Sequence, residues 1–447
     1  MDSITHQTLP VFCCIAPALP PATFARLQLL AVACILTTGR RTLANLLRIV
    51  PQLTQGSSTS YYRALSQTHW SSLQLACALA RFLIRHLLPT GLITLVGDDT
   101  VDGHKGKNVY GKARHRDPVR STKSHTAWRY GHQWVVLCVL VRFPFASRPW
   151  ALPVLVALYR SKEHNRQRQR PHRTPAQLMC RLLRLLLGWF PDRQFRFVGD
   201  AGYGTHEVAR FAHRHRARLT LVSKFHPDAN RYDPPPAYSG KGRPRVKGRR
   251  RAKPKAVVAR THGRQRWQVG WYGGGTRRVE TVTGTRHGHK AGRGLVPVRW
   301  VFVHDLDGTH RDEYFFTTDP DLEPEALISS YTARWNIETT FQEMRAYLGL
   351  ETTRGWCAQT VLRAAPCLFG LYTVVALLYE QLPAGAPSGG GVDWVGKEAV
   401  TFSDAITAVR RWLWADWVLE QGDHAPAFAK LAEPLREVLR YALAPAA

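Results

Sequence analysis

Acidic residues are scarce in this sequence: 32 Asp and Glu stand against 62 Lys and Arg, a formal charge of +30 over 447 residues. An enzyme of small molecules gains nothing from such self-repulsion, whereas a polyanionic partner neutralises it, so nucleic acid is the leading partner. Cysteine pairs are lacking too. The eight cysteines are scattered singly, apart from the neighbours Cys13 and Cys14, and no C-x-x-C occurs. That argues against a zinc ribbon and a disulfide framework and fits a reducing cytoplasm. The N-terminus has no basic leader and its apolar stretch is broken by Pro10, Pro17, Pro20 and Pro21, so no signal peptide is expected. The longest apolar run, Ala364 to Tyr379, contains Pro366 and is too short to span a bilayer. It reads as a core helix, with no membrane partner. No internal repeat is evident.

Length allows two to four structural units. Residues 1–90 read as a helical N-terminal region. Thr42 opens a helix closed by Pro51, a polar turn follows, and YYRALSQ carries Tyr61, Tyr62 and Arg63. Two short helices around a turn fit a helix-turn-helix reader of DNA and, equally, an ordinary helical packing unit.

From Leu92 the pattern changes to an α/β one, spanning 91–225. LITLVG is a buried-strand run leading to Asp98 and Asp99, and the runs at 134–143 and 150–159 are two more strands. An amphipathic helix (AQLMCRLLRLLLGWF), a strand ending in Asp200 (FRFVGD), a helix (HEVARFAHRHRA) and a strand (LTLVS) follow. Three strands, helix, strand, helix, strand is the order of an RNase H-like core, with acidic residues at the ends of its first and fourth strands. Residues 226–320 break the pattern. A stretch rich in Pro, Gly and Arg precedes four strand-like pieces, which predicts a β-rich insertion with a basic loop at its mouth. The core resumes at 321–382 with a long helix from Glu323 through Leu348 and an apolar helix. A linker at 383–393 and a Trp-rich helical tail at 394–447 close the chain.

Where acid is this scarce, Asp at the end of a buried strand needs a reason, and strand ends are where α/β sites form. Two Mg²⁺ ions clamping a phosphodiester need carboxylates from different elements. Each Asp alone could equally cap a turn; together, Asp99 and Asp200 favour metal. Neighbouring strand residues point to opposite faces, so only one of Asp98 and Asp99 can face the ions; Asp102 is a weaker third candidate. In the helix at 323–348, Tyr331, Arg334, Glu338 and Arg345 are spaced to share one face, beside an apolar stripe of Ile337, Phe341, Met344 and Leu348. A carboxylate among cations and a phenol suits a metal ligand beside phosphates, although a solvated face of i,i+4 pairs has the same spacing.

YTARWNIETTFQEMR resembles the Tyr-(2)-Arg-(3)-Glu-(6)-Lys signature of DDE insertion-sequence transposases. Tyr331, Arg334 and Glu338 match, and Arg345 stands where Lys is usual. GDDT resembles the first acidic motif of that family and selects Asp99 over Asp98; VGDAGYG resembles the second and gives Asp200. The resemblance covers roughly residues 90–350. It implies an RNase H-like catalytic core interrupted by a β-rich insertion, two Mg²⁺ ions (Mn²⁺ substituting) held by Asp99, Asp200 and Glu338, and cleavage and strand transfer at transposon ends. It implies double-stranded DNA as partner, a homodimer in a synaptic complex, and a place on the nucleoid in a bacterial cytoplasm. Some relatives flip a base onto a tryptophan of the insertion, for which Trp267, Trp271 and Trp300 are available.

Basic residues divide by position. GHKGKNVYGKARHR, with Lys105, Lys107 and Lys112, starts next to the first acidic motif and is the stronger DNA-contacting stretch. The stretch from Lys241 to Lys255, with Arg245, Arg249 and Arg250, is either a solvated loop or a DNA-backbone contact, and its place beside the insertion favours contact. His213 with His215, and His287 with His289, lack a third ligand and read as basic surface. Two rival readings are a transposase-derived DNA binder without catalysis and an RNase H-like nuclease. The three carboxylates argue against the first, and the signature helix argues against the second.

Overall fold

In a computed structural model, the structure describes residues 10–117, 121, 122, 124–240, 242–382, 397, 399–419 and 425–444. The linker expected at 383–393 and Lys241 lie outside these residues. Five helices open the chain: α1 (Pro10–Ile15), α2 (Pro21–Leu36), α3 (Leu43–Ile49), α4 (Ser58–Ser66) and α5 (Ser72–Leu87). The side chains of Thr42, Ser57 and Ser71 cap the last three by accepting first-turn amides, each worth about 1 kcal/mol. In the helical pair singled out from sequence, Tyr61 is buried, its hydroxyl accepting from the Gln55 amide, while Tyr62 is exposed.

The next strands and helices are β1 (Ile93–Gly103), β2 (Ala113–Arg116), β3 (Trp128–Val141), β4 (Trp150–Tyr159), α6 (Lys162–Gln167), α7 (Pro175–Trp189), β5 (Phe195–Gly199), α8 (His206–Arg214) and β6 (Leu219–Lys224). Their order is the one read from sequence, with β2 and α6 added. β3 is apolar on both faces from Trp134 to Cys138 because it is sandwiched between β1 and β4 and covered by helices. α7 buries Met179, Leu182, Leu183, Leu186 and Leu187, the i, i+3, i+4, i+7 stripe of a helix lying on a sheet, and starts at a Thr174–Gln177 capping box. Side by side the strands run β4-β3-β1-β5-β6. β3 is antiparallel to β1, to β4 and to the short β2, and β1, β5 and β6 are mutually parallel.

Three expectations are corrected. First, β1 does not end at its aspartates but runs through them to Gly103, because β3 extends back to Trp128 and pairs with the whole length. Second, the strands of 226–320 do not stand apart as a subdomain. β7 (Arg231–Tyr232), β8 (Arg250–Arg251), β9 (Gln265–Gly270), β10 (Thr276–Lys290), β11 (Gly294–Asp305) and β12 (Glu313–Thr317) join the same sheet, since β12 pairs with β6. The short α9 (Pro254–Val258) lies between β8 and β9. Third, the long helix at 323–348 is two: α10 (Pro324–Ala333) and α11 (Asn336–Tyr347). The Asn336 side chain donates to the Ala333 carbonyl at 2.8 Å, while the Ile337 amide turns to Arg334, so a side chain displaces one rung of the α-helical ladder.

The apolar helix α12 (Ala358–Glu380) is longer than its apolar run and, by length and composition alone, could cross a membrane. Two thirds of its apolar window is buried inside the protein, and it packs on β4, α4 and α5. It also packs on α13 (Phe402–Trp412), after which come a π-helical turn at Leu413–Leu419, α14 (Ala425–Ala429) and α15 (Glu433–Leu443).

Candidate active site

The site is built where β1, β5 and the α10–α11 turn meet. In the β1–β5 register Gly97 lies opposite Gly199, which sets Asp98 beside Asp200 at the next position. Alternation along β1 then sorts its residues. A Cβ at Gly97 would run into Met179 of α7 and Phe197, so odd-numbered residues face α7. Asp98 and Thr100 face the other way, toward α11: Arg334 donates from Nη1 to Asp98 Oδ2 at 2.6 Å, and Arg345 donates to the Thr100 hydroxyl. The same Arg334 guanidinium donates from Nη2 to Glu338 Oε1 at 2.8 Å. Arg334 therefore bridges the carboxylates of β1 and α11 despite the break in the helix. Its guanidinium also lies 5.7 Å from the Tyr331 ring, which is buried and stacked on Phe315.

This arrangement puts the adjacent aspartates in different surroundings. Asp99, selected by motif resemblance, turns to the other face, where it accepts from the Tyr203 hydroxyl at 2.7 Å and from the Gln133 amide. The physical reason is that both aspartates sit inside a continuous strand, whose period of two leaves room for only one on the α11 side. Asp200 keeps a turn-capping role with Oδ1, which accepts from the amides of Gly202 and Tyr203, and among the described residues Oδ2 has no donor. Burial pushes the Asp98 carboxyl up to about 7, opposed by the Arg334 guanidinium and reinforced by the Asp200 and Asp99 carboxylates. Burial likewise raises Asp99, with the Tyr203 and Gln133 hydrogen bonds opposing. Glu338 is the exposed member, with 43% of its side chain accessible.

Of the other residues singled out from sequence, Arg345 also donates to Glu351, which Arg129 engages as well. Trp300 is fully buried beneath Arg231 and Trp271 is buried, so neither offers an open stacking face, while Trp267 is half-buried and donates to the Thr281 hydroxyl. Among the described residues the exposed tryptophans are elsewhere: Trp128 on β3, Trp335 in the α10–α11 turn and Trp356 before α12. Sequence reasoning missed them because exposure depends on the tertiary contacts around each ring.

A family model described as DDE superfamily endonuclease matches residues 14–278, more than half of the sequence. The chain belongs to that family. A second model, described as archaeal putative transposase ISC1217, matches residues 295–364, which hold Arg334 and Glu338. Among solved structures, a piggyBac transposase synaptic complex with hairpin DNA is similar at 9% identity and a TM-score of 0.42, over 96% of this chain and 77% of that one. No curated protein matches in sequence. The two family models agree with the motif resemblance: both halves of the chain carry DDE-type sequence.

Proposed function

We propose that this protein is a DNA transposase, cutting transposon ends and joining them to target DNA, with Asp98, Asp200 and Glu338 as its metal-holding carboxylates. The observation that carries the reading is the convergence of these three side chains from two adjacent parallel strands and the signature helix, in a chain of net charge +30. The strand order β4-β3-β1-β5-β6 supports an RNase H-like core, with β7 to β12 as material inserted between Asp200 and the signature helix.

The donor set fits a hard divalent cation. Three carboxylates and no sulfur or imidazole suit Mg²⁺, with Mn²⁺ as substitute, and a guanidinium already bridges two of them. When bound, two such ions would lower the pKa of the attacking water or 3′-hydroxyl and stabilise charge on the leaving oxygen. The remaining work falls to side chains of this chain. Arg334 orients Asp98 and Glu338, and its planar fork can exchange a carboxylate for a phosphate oxygen as DNA enters. Tyr331 and Phe315 hold that guanidinium from below. Tyr203 and Gln133 fix Asp99 and so the pitch of β1 at the site. Arg345, Lys105, Lys107 and Lys112 supply cations for the DNA backbone, with Arg245, Arg249 and Arg250 farther out. In this reading the protein works as a homodimer that brings two ends together, on nucleoid DNA of a bacterial cytoplasm.

The test is Mg²⁺-dependent cleavage of duplex carrying the inverted repeats that flank the gene. Asp200→Ala and Glu338→Ala should each abolish cutting and leave binding of the same duplex within about threefold, because binding rests on many dispersed cations. Cleavage that survives Glu338→Ala would refute the assignment of the helix.

A further inference from the structure

On the same face of β1, four residues past Asp98 and so about 13 Å along the strand, lies a second cluster that DNA chemistry does not use. Asp102 and His132 are each 1% exposed and opposite one another in the β1–β3 register, and the His104 side chain closes over them, 8% exposed. His104 Nε2 is 3.3 Å from Asp102 Oδ2, and His132 Nδ1 is 3.5 Å from Asp102 Oδ1. The ligating atoms of all three lie within 4.8 Å of one another.

Tautomer logic sharpens this geometry. His132 Nε2 is 2.8 Å from the Tyr110 carbonyl, which can only accept, so that nitrogen carries the hydrogen. In the neutral ring, Nδ1 then turns a lone pair toward a carboxylate oxygen inside the protein, which is repulsive unless a cation stands between them. A second proton on His132 would serve, and so would a metal ion. Several features favour the ion. Two ligands at about 2.0–2.1 Å around a tetrahedral centre are about 3.3 Å apart, close to the two separations observed. A ring N–H donated to a backbone carbonyl is how metal-ligating histidines are usually oriented. The carboxylate is itself braced from outside, by Trp134 Nε1 on Oδ2 at 3.1 Å and by the His132 amide on Oδ1 at 2.9 Å. The strands are also drawn together here: a Cβ at Gly131 would fall 1.6 Å from the Asp102 carbonyl oxygen, so only glycine fits.

We propose that Asp102, His104 and His132 form a structural site for a borderline divalent cation, Zn²⁺ by its N₂O donor set, with water in the fourth position. It is separate from the all-carboxylate site, from which Thr100 and Arg345 divide it. Its role is to pin the start of the 104–112 segment, and with it Lys105, Lys107 and Lys112, to the sheet. The site stands or falls independently of the proposed transposase activity.

The experiment uses full-length protein stripped with chelator, then loaded with Zn²⁺ or Co²⁺ and dialysed. Wild type should keep one equivalent of Zn²⁺ per chain, and the Co²⁺ form should show the intense visible bands of tetrahedral coordination. An Asp98→Asn/Glu338→Gln double variant should bind equally, which separates this site from the carboxylate cluster. His104→Gln, at the mouth of the cluster, should weaken Zn²⁺ binding at least about 100-fold while melting like wild type in chelator. Should His104→Gln not fold, ring ¹⁵N shifts of His132 in wild type decide: a Zn²⁺-dependent shift at Nδ1 supports the site. A ring doubly protonated and indifferent to Zn²⁺, or equal binding by folded His104→Gln, would overturn it and leave an Asp–His ion pair.

Discussion

The two faces of β1 carry the same residue type to opposite ends. Asp98 and Asp99 are adjacent, both are mostly buried, and burial raises both carboxyls. Asp98 meets a guanidinium that also holds Glu338, on the side where Asp200 arrives. Asp99 meets a phenol and an amide, two neutral donors on the opposite face of the strand. In the proposed reading, what separates the metal-holding Asp98 from Asp99 is thus not acidity or depth but the face of β1 on which each stands. A cation-bridged carboxylate can trade one cation for another.

The sharpest way to break this comparison is to mutate each aspartate alone. Asp98→Asn should lower Mg²⁺-dependent cleavage on the order of 10³-fold, about 4 kcal/mol of transition-state stabilisation. Asp99→Asn should cost less than about tenfold. The reverse ranking in a cleavage assay would return the first ligand to Asp99. Removing the bridge should come next in size. Arg334→Ala strands a buried carboxylate, and breaking such a pair costs about 3–5 kcal/mol. Arg334 is among the buried residues, though Glu338 at its other end is open to solvent, so the lower end of that range is expected in metal-free denaturant melts, with Mg²⁺ restoring part of it. No change in stability would mean that the bridge contributes little to the fold.

Smaller effects are expected away from β1. In the basic stretch, Arg251 pairs with Asp233, and Lys253 and Lys255 pair with Asp228. Arg243, Arg245 and Lys247 make no ion pair among the described residues. Deleting 242–248 should therefore reduce the slope of log affinity against log salt by about 3, not by the full charge of the stretch; an unchanged slope would exclude the loop from the interface. The mildest prediction concerns pH. Burial raises Asp98 from the usual carboxylate range to about 7, so the folded metal-free protein binds the proton more tightly than the unfolded chain. Stability from this group is present in acid and is lost as pH rises from about 4 through about 7. Denaturant melts in chelator across that window should fall with pH in wild type and fall less in Asp98→Asn.

Much of this was legible in the residues. The alternating and continuous apolar runs placed β4, β5, β6, α7 and α8 close to their observed bounds, because periods of 2 and 3.6 are local properties of the backbone, but missed the polar first six residues of β3. The spacing of Arg334 and Glu338 foretold their contact, since i,i+4 neighbours meet within one turn. The same arithmetic failed to see the break at Asn336, where one side-chain amide competes with the ladder. It also left Asp98 and Asp99 unsorted. Alternation says that the two diverge but not which way, and only the Arg334 contact and the Met179 side of Gly97 orient the strand.

The sequence by itself determined most of the strand and helix order, the large excess of positive charge, and the acidic positions (Asp98 or Asp99, Asp200, Glu338) from which a site could be assembled. Each of these is a matter of composition or of short-range spacing. The tertiary structure decided which face of β1 meets α11, that β12 hydrogen-bonds to β6 and carries the insertion into one sheet, and that Asp102, His104 and His132 close into a cluster. Those outcomes depend on pairings between segments tens to hundreds of residues apart, whose register is set by side-chain packing across the sheet and leaves no local trace in the chain.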